Sequence, residues 1–386
     1  MTRGKSRWAV IGNGFGRHTV LPCLGRIKKV RVVALCGRNS ERARETAQQF
    51  GIPEIYTDYR SMITETKPDL VVVTSPPHLH KEMSLFALEH GCHVMCEKPT
   101  ALDADEAQSM YAAAQETSDR LAMIDHELRF DPVRAHMRQL IEEGYLGRVR
   151  QVTWTQRSGG MASADRPFDW WHIRSRGGGL LGAIGSHAVD LLRHWVGELE
   201  EVWGDLRTQI PERPDPGTGE MREVETDDAF TALLRFRADA PYAAPGAVAR
   251  LDMNVASPGP WASRLEVLGT EGRLYLDDAG VLRGCQSSSG VWEEIAVKEE
   301  ISKADRKEIP DTIWARAFLR QARLVAEALL AGQTQVDGVA TFADGWRNQQ
   351  VIDAIHAAAS EGCWSEVTEE LTAAQPGAPP GPVVES

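Results

Sequence analysis

Residues 7 to 125 alternate short, continuously apolar runs with amphipathic stretches of helical period. The apolar runs predict strands at 8–11, 30–36, 70–74, 93–96 and 121–124. Apolar strands separated by helices are typical of a parallel sheet covered on both faces, because a parallel connection needs a crossover long enough to hold a helix. We therefore predict a doubly wound α/β domain. Two of its helices carry end signals, Ser40 as the cap of a helix over 41–50 and Gly91 after a helix over 80–90.

From residue 149 the pattern changes to alternating apolar and polar residues. Strands are predicted at 149–156, 201–209, 228–236, 247–255, 264–268 and 273–276. Because no helices separate most of them, they indicate a mostly antiparallel open sheet of about six strands in an α+β domain. Helical patterns occur at 131–143, 185–196, 313–331 and 342–360, and the Pro- and Gly-rich segment 211–219 predicts a mobile loop.

The first predicted strand runs directly into a glycine-rich turn, Gly12-Asn13-Gly14-Phe15-Gly16-Arg17. Such a turn brings backbone amides and a helix N-terminus against a pyrophosphate, as in Rossmann dinucleotide-binding domains. The third glycine comes one place early, and a plain strand-to-helix turn is the alternative. Its position after the first strand of a βαβ unit favours dinucleotide binding.

The second predicted strand ends in Cys36-Gly37-Arg38-Asn39. NAD-preferring sites place an acid near this point to hold the ribose 2′-hydroxyl, whereas an arginine accommodates the 2′-phosphate of NADP. No acid occurs here before Glu41. We therefore expect Arg38 and Asn39 to contact the cofactor and NADP to be preferred over NAD, the alternative being that Arg38 is a solvated loop residue.

The strand at 93–96 leads into Glu97-Lys98-Pro99. Further motifs occur in order along the chain: Thr74-Ser75-Pro76-Pro77-His78-Leu79-His80, Arg129-Phe130-Asp131-Pro132, and Gly177-Gly178-Gly179 before Gly185-Ser186-His187-Ala188-Val189-Asp190. Because these motifs occur together and in this order, residues 7–365 resemble the Gfo/Idh/MocA family of glucose-fructose oxidoreductases and inositol dehydrogenases. We expect a Rossmann domain at 1–125, an α+β substrate-binding and oligomerisation domain at 126–370, and a disordered Ala-, Pro- and Gly-rich tail at 371–386.

The glycine turn, the second strand and the resemblance together imply a set of cofactor contacts. These are Gly12, Gly14, Phe15, Gly16, Arg17, Arg38, Asn39, Thr74, Ser75, Pro76, His80, Glu97, Lys98 and Glu127.

Lys98 lies at the carboxyl end of a parallel strand, where open α/β sheets bind ligands, although an isolated lysine there is more often a surface charge. His187 stands near the start of an apolar helix, with Asp190 one turn later and close enough to influence its orientation. The preceding glycine run is expected to keep the backbone open for a ligand. By resemblance, Lys98 and His187 are the catalytic pair. Asp190, His172 and Arg174 are candidates for substrate binding, with packing or surface roles as the alternative for the last two.

Two positions depart from the family pattern. The family commonly has Asp four residues before the histidine, whereas this chain has Ala183. The junction motif often has Asn two places before its arginine, near the nicotinamide, whereas this chain has Glu127. The missing carboxylate puts the transfer of the polyol dehydrogenase mechanism in doubt.

Charge and cysteine usage exclude several classes of protein. The 43 Lys+Arg against 55 Asp+Glu give a net charge of −12, which opposes binding to nucleic acid or anionic membranes. No apolar run approaches the roughly 20 residues that span a bilayer, and the first residues lack a signal-peptide pattern. We expect a cytoplasmic protein with six reduced cysteines and no metal site, since an isolated Cys92-x3-Cys96 pair is a poor zinc signature.

These observations predict NAD(P)-dependent hydride transfer between nicotinamide and a hydroxyl or carbonyl carbon of a small-molecule substrate, namely a sugar, cyclitol or related polyol. Two alternatives remain: an NAD-dependent glycoside-cleaving enzyme and a non-catalytic dinucleotide-binding sensor. An open sheet with helices on one face leaves the other face in need of cover, so we also expect a homodimer or homotetramer.

Overall fold

A computed structural model describes residues 4–298 and 301–368, and the predicted tail at 371–386 lies outside them. The first part of the chain forms a parallel sheet in the order β3-β2-β1-β4-β5-β6. Its strands are β1 Ser6–Ile11, β2 Val30–Cys36, β3 Glu54–Tyr56, β4 Leu70–Val73, β5 His93–Cys96 and β6 Ala122–Ile124. The predicted doubly wound domain is confirmed, with β3 as a short edge strand that the apolar pattern missed.

Helices connect these strands. They are α1 Leu21–Leu24, α2 Ser40–Phe50, α3 Tyr59–Thr66, α4 His80–Glu89 and α5 Ala104–Glu116. The helix over Ser40–Phe50 ends at Gly51 and the helix over His80–Glu89 ends just before Gly91, as the sequence indicates. The prediction that Ser40 caps α2 is wrong by one residue. Asn39 has the extended backbone of a cap, and its side-chain oxygen accepts a hydrogen bond from the Arg42 amide at 2.9 Å.

The second sheet runs in the order β16-β15-β14-β13-β7-β12-β11-β8-β17. Its strands are β7 Val149–Arg157, β8 Leu199–Arg207, β11 Ala229–Phe236, β12 Ala243–Asn254, β13 Ala262–Gly269, β14 Gly272–Leu276, β15 Leu282–Gln286, β16 Glu293–Glu294 and β17 Ser365–Glu366. All neighbours pair antiparallel except β7 and β12. The mostly antiparallel sheet is confirmed, but it has nine strands in the described residues rather than about six, because its edge strands are too short to show a pattern.

The segment predicted as a mobile loop, 211–219, instead takes part in a hairpin. Strands β9 Glu212–Pro214 and β10 Met221–Glu223 pair antiparallel. Arg213 anchors this hairpin, because its buried guanidinium donates hydrogen bonds of 2.7 Å to the carbonyls of Ser163 and Met161. Proline and glycine content therefore marked the turn correctly but not its attachment to the rest of the protein.

Helices of the second part are α6 Pro132–Glu142, α7 Ser186–Trp195, α8 Lys303–Glu308, α9 Ile313–Leu330 and α10 Phe342–Glu361. The last two return to the parallel sheet. Phe318 of α9 is buried in the same cluster as Trp8 of β1. On α10, Trp346 belongs to the core beside the parallel sheet and Ile355 to the core beneath the large sheet. These helices therefore join the two sheets.

All six cysteines are unpaired, and Cys363 alone among them is exposed. Within the described ranges, no helix is long and apolar enough to span a membrane, and no cluster of three or more His, Cys, Asp or Glu side chains could hold a metal ion. The domain boundary at 125/126 and oligomerisation through the open face of the large sheet stay predictions.

A buried ion pair ties the residues after β6 to α7. The Arg129 guanidinium donates to both carboxylate oxygens of Asp190, at 2.8 and 2.6 Å, and lies 3.3 Å from Asp344. Burial would raise the pKa of Asp190, but the Arg129 charge outweighs it and holds that pKa below its ordinary value. Asp190 is therefore an anion at neutral pH.

Replacing Asp190 by Asn should lower the free energy of unfolding by about 3–5 kcal/mol, because the buried Arg129 charge would keep only the partly exposed Asp344 carboxylate, 3.3 Å away, as a counter-ion. Chemical denaturation at pH 7 measures the change. Glu327→Gln is the control, since it breaks the half-exposed Lys29–Glu327 pair and should alter stability by less than about 1 kcal/mol. Equal losses in the two variants would contradict the structural role of the buried pair.

Candidate active site

The glycine-rich turn after β1 approaches the end of β4 closely. Gly12 has a φ of +110°, and a Cβ there would lie 2.5 Å from the Thr74 carbonyl oxygen. A Cβ on Gly16 would lie 2.7 Å from the Thr74 hydroxyl oxygen, whereas one on Gly14 would meet nothing within 4 Å. Gly12 and Gly16 therefore permit the contact between the two loops, and Gly14 leaves open space above the turn.

The same edge of the sheet carries buried polar atoms without partners among the described residues. They are both amide atoms of Asn13, the Ser75 hydroxyl and Nδ1 of His78. Buried polar groups in folded proteins are normally hydrogen-bonded, so unpaired ones around an open glycine turn fit a polar ligand such as a dinucleotide. Pro76 lies in the same loop, directly after Ser75.

Three of the predicted cofactor contacts have other partners. Phe15 packs against the core beside the parallel sheet, and the Arg17 guanidinium lies near Gln49 and Glu45 of α2. The prediction for His80 is wrong: the side chain is fully buried, and its ring nitrogens contact the carbonyl oxygens of Ser75 and Pro99 at 2.8 and 2.9 Å. It therefore holds two loops together rather than facing a cofactor.

Lys98 follows β5 at the carboxyl edge of the parallel sheet and is half-buried. Its ammonium group donates a 2.7 Å hydrogen bond to the backbone carbonyl of Ala183 and lies 5.9 Å from the ring centre of Trp314. Ala183, which stands where the family commonly has an aspartate, therefore still supplies Lys98 with a hydrogen-bond acceptor through its backbone carbonyl. One acceptor leaves the ammonium with two further donor positions.

His187 is the second residue of α7 and lines a cleft of about 820 Å³. The ring is buried and packs 4.9 Å from the ring of Trp314, and neither nitrogen has a hydrogen-bond partner among the described residues. Burial, and next the positive charge of Lys98, lower the pKa of His187 well below 6.5. The imidazole is therefore neutral at pH 7 and able to accept a proton.

Three buried carboxyl groups surround this pair: Glu97, Asp125 and Glu127. Burial raises all three pKa values, and mutual repulsion raises those of Asp125 and Glu127 further. Glu127 was predicted to contact the cofactor, but its side chain has no exposed surface. Its Oε2 lies 3.9 Å from Nε2 of His187.

Two expectations about the histidine helix are wrong. Asp190 does not orient His187 or face the cleft, because Arg129 takes both of its oxygens. The glycine run does not keep the backbone open either. A Cβ on Gly178 would lie 2.0 Å from the Trp171 carbonyl oxygen, and one on Gly179 would lie 2.3 Å from Oδ1 of Asp227. These glycines permit close packing.

The structure does not bring His172 and Arg174 to the cleft at His187. His172 is buried, and its Nδ1 accepts a hydrogen bond from the Asp169 amide at 3.0 Å. The exposed Arg174 contacts Glu225 through both its backbone amide and its guanidinium. His172 therefore packs in the interior and Arg174 lies at the surface, which were the alternative roles for these residues. The reason is that the segment between β7 and α7 folds against the β9–β10 hairpin.

Sequence reasoning missed Asp125, His126 and Trp314. The first two follow β6 at the carboxyl edge of the sheet, so the strand-end rule that found Lys98 could have found them. His126 is buried, with its ring 5.6 Å from that of His187, and burial lowers its pKa to about 4. Trp314 begins α9, far away in sequence, and had no local signal.

Comparison with known families agrees with this geometry. Residues 6–126 match a family described as an oxidoreductase family with an NAD-binding Rossmann fold, and residues 135–275 match the C-terminal domain of Gfo/Idh/MocA proteins. The chain belongs to the Gfo/Idh/MocA oxidoreductase family. As a member it is an enzyme of the dehydrogenase or reductase type with a NAD-binding domain.

Individual relatives cover most of the fold. An uncharacterized oxidoreductase of Synechocystis sp. is 30% identical over 69% of this chain and 70% of its own length. Levoglucosan dehydrogenase of Pseudarthrobacter phenanthrenivorans is 32% identical over 62% of this chain and 63% of its own length. A solved levoglucosan dehydrogenase in complex with NADH and levoglucosan has a TM-score of 0.83 at 25% identity, covering 95% of this chain and 100% of that one.

Replacing Lys98 by Met should raise the pKa of His187 toward 6.5, because the nearby positive charge opposes protonation of the imidazole. Nitrogen-15 NMR of labelled histidines measures the change. In the unsubstituted protein the His187 ring should be neutral at pH 7 and above, because its pKa lies well below 6.5. An imidazolium signal from it at pH 7 would contradict the assigned environment.

Proposed function

We propose that the protein transfers hydride between a nicotinamide cofactor and the hydroxyl or carbonyl carbon of a sugar, cyclitol or polyol-like substrate, with Lys98 and His187 managing the proton of the reacting oxygen. One observation carries the proposal. A neutral histidine, whose two ring nitrogens have no hydrogen-bond partner among the described residues, lines a cleft beside a lysine at the carboxyl edge of the parallel sheet. A neutral imidazole and an ammonium group together can accept and donate that proton.

The residues at the edge of the parallel sheet fit the cofactor. The turn at Gly12 and Gly14, the side chain of Asn13 and the loop at Ser75 would hold its phosphates and riboses. When bound, a nicotinamide supplies the site that accepts or donates hydride. The protein's own contribution is to orient the substrate and to move the proton at its oxygen.

The walls of the cleft support a polyhydroxylated substrate. Indole rings line it beside charged side chains: Trp154, Trp261, Trp314, Arg134, Asp278 and Asp311 all contribute. Indole faces offer apolar surface to the C–H groups of a sugar ring, and charged groups hydrogen-bond hydroxyls. The relative that was solved with NADH and levoglucosan supports the same substrate class.

Lys98→Met and His187→Ala should each lower kcat by about 10²- to 10⁴-fold on a substrate found in a sugar and polyol panel, the usual range for acid-base groups. Cofactor affinity should fall much less for His187→Ala than the rate does. Because the two groups act as a unit, the double variant should be little worse than the poorer single variant. Lys28→Met and His136→Ala, both outside the site, are the matched controls.

The same assay distinguishes the alternatives. If His187→Ala keeps more than about a tenth of the unsubstituted rate, His187 is not the acid-base residue. Bond cleavage in a glycoside with retained cofactor and no net redox change would favour the glycoside-cleaving alternative. Tight cofactor binding without turnover across the whole panel would favour a sensor.

We further propose that NADP(H) is the preferred cofactor. Arg38 is exposed just after β2, and neither it nor Arg176 has an ion-pair partner among the described residues. Burial lowers the pKa of His78, and the charges of Arg176 and Arg38 lower it further. Both guanidinium groups therefore lie near the loop after β4 that carries His78. Arg38 just after β2, with Arg176 near the loop that carries His78, favours a phosphorylated ribose.

Arg38→Ala should weaken NADP(H) binding by about 10- to 100-fold and NAD(H) binding far less, because only the 2′-phosphate loses a charge-assisted contact. Fluorescence titration of each reduced cofactor measures both constants. Arg31→Ala, an exposed arginine on β2, is the control and should affect neither. Equal losses for the two cofactors would show that Arg38 does not read the 2′ position, and tighter binding of NAD(H) by the unsubstituted protein would refute the preference.

A further inference from the structure

Glu127 is a buried acid that the proposed reaction does not yet use. It follows β6, next to β5 and Lys98, and its side chain has no exposed surface. Neither carboxyl oxygen has a hydrogen-bond partner among the described residues. Leaving a buried carboxyl unpaired is unfavourable, so such a group is expected where a function requires it.

A ring nitrogen of His187 lies close to that carboxyl. Oε2 of Glu127 lies 3.9 Å from Nε2, longer than a hydrogen bond but within reach of one after a small side-chain rotation. Catalytic hydrogen bonds are often long in the ligand-free protein and shorten once substrate is bound. The other ring nitrogen, Nδ1, also has no hydrogen-bond partner among the described residues, and His187 borders the cleft into which a substrate would bind.

We propose that Glu127 is a positioning residue that sets the tautomer of His187 and exchanges a proton with its Nε2. This inference rests on the proposed function of His187. When Glu127 is ionised, Nε2 carries the proton and donates it to the carboxylate, which leaves Nδ1 free to act as a base. When Glu127 is protonated, it donates to Nε2, and the ring proton resides on Nδ1, which then acts as an acid.

The proton balance of the step is complete. During oxidation of an alcohol, the hydroxyl proton passes to Nδ1 while the Nε2 proton passes to the Glu127 carboxylate. The ring ends neutral in the other tautomer, and Glu127 ends as a carboxylic acid. During reduction of a carbonyl, both transfers run backwards. No buried imidazolium persists, which matters because burial and Lys98 make the imidazolium unfavourable here.

Glu127 occupies the role that Ala183 cannot fill. The family aspartate would approach the histidine from the turn before α7, where this chain offers only the Ala183 carbonyl to Lys98. Glu127 approaches from the end of β6 instead. The charged and titratable groups around Glu127 and His187 are Glu97 and Lys98 after β5, Asp125 and His126 on the segment of Glu127, Arg134 on α6 and Asp190 on α7.

The pH dependence follows from the same environment. Burial, and next the neighbouring Glu97, raise the pKa of Glu127 well above 4.5, with Lys98 opposing them. Oxidation needs the carboxylate form. The rate of oxidation should therefore rise as pH rises through this elevated pKa, and the rate of reduction should fall over the same range.

The test compares Glu127→Gln and Glu127→Asp. The isosteric glutamine keeps the shape but cannot exchange a proton, so kcat should fall by about 10- to 10³-fold and the pH-dependent limb should disappear, with the substrate KM little changed. The aspartate variant should keep the limb and recover part of the rate. Asp353→Asn, which alters a half-buried acid with a raised pKa on α10, should leave the limb in place.

Nitrogen-15 NMR of His187 in the cofactor-free protein gives a readout that does not need turnover. The populations of the two ring tautomers should change with pH in the unsubstituted protein and in Glu127→Asp, but not in Glu127→Gln. If the tautomer populations and the pH profile of Glu127→Gln match those of the unsubstituted protein, the inference is overturned while the roles of Lys98 and His187 stand. If the kinetic assay of Lys98→Met and His187→Ala instead shows no catalytic role for these residues, the NMR result still tests the contact between Glu127 and His187 independently.

Discussion

The Arg129 guanidinium and the Asp190 carboxylate meet through two hydrogen bonds of 2.8 and 2.6 Å, where the chain leaves the parallel sheet. Because both groups are buried, each depends on the other for compensation of its charge. The pair joins the segment after β6 to α7, and these two elements carry Glu127 and His187. The 3.9 Å approach of those side chains therefore depends on a salt bridge that takes no part in the chemistry.

The electrostatics of the site depend strongly on Lys98, which lies among several buried acids. Lys98 favours ionisation of Glu97 and Glu127, but burial acts more strongly in the opposite direction and raises both pKa values. Burial, and next the charge of the same lysine, lower the pKa of His187 and keep its ring neutral. A neutral imidazole beside protonatable carboxyls is able to pass protons in either direction, which suits an enzyme that works on a hydroxyl or a carbonyl.

Glycines permit this arrangement by allowing backbones to approach one another. Gly12 and Gly16 bring the turn after β1 against Thr74, and Gly178 brings the approach to α7 against Trp171. A side chain at any of these positions would collide with neighbouring atoms. The two glycine-rich motifs thus have different uses: the first also borders open space for a ligand at Gly14, whereas the second only packs.

The sequence by itself determined the parallel sheet and the glycine-rich turn after its first strand, because apolar periodicity and strand-end motifs are local signals. Lys98 and His187 became candidates through the resemblance of their motifs to the Gfo/Idh/MocA family. Short edge strands such as β3 and β17 carried too little pattern to be predicted. Tertiary structure alone decided that Asp190 pairs with Arg129, that His172 and Arg174 lie away from the cleft, and that Glu127 faces His187. These contacts join segments tens of residues apart, and burial and charge compensation between distant elements select them rather than any local spacing.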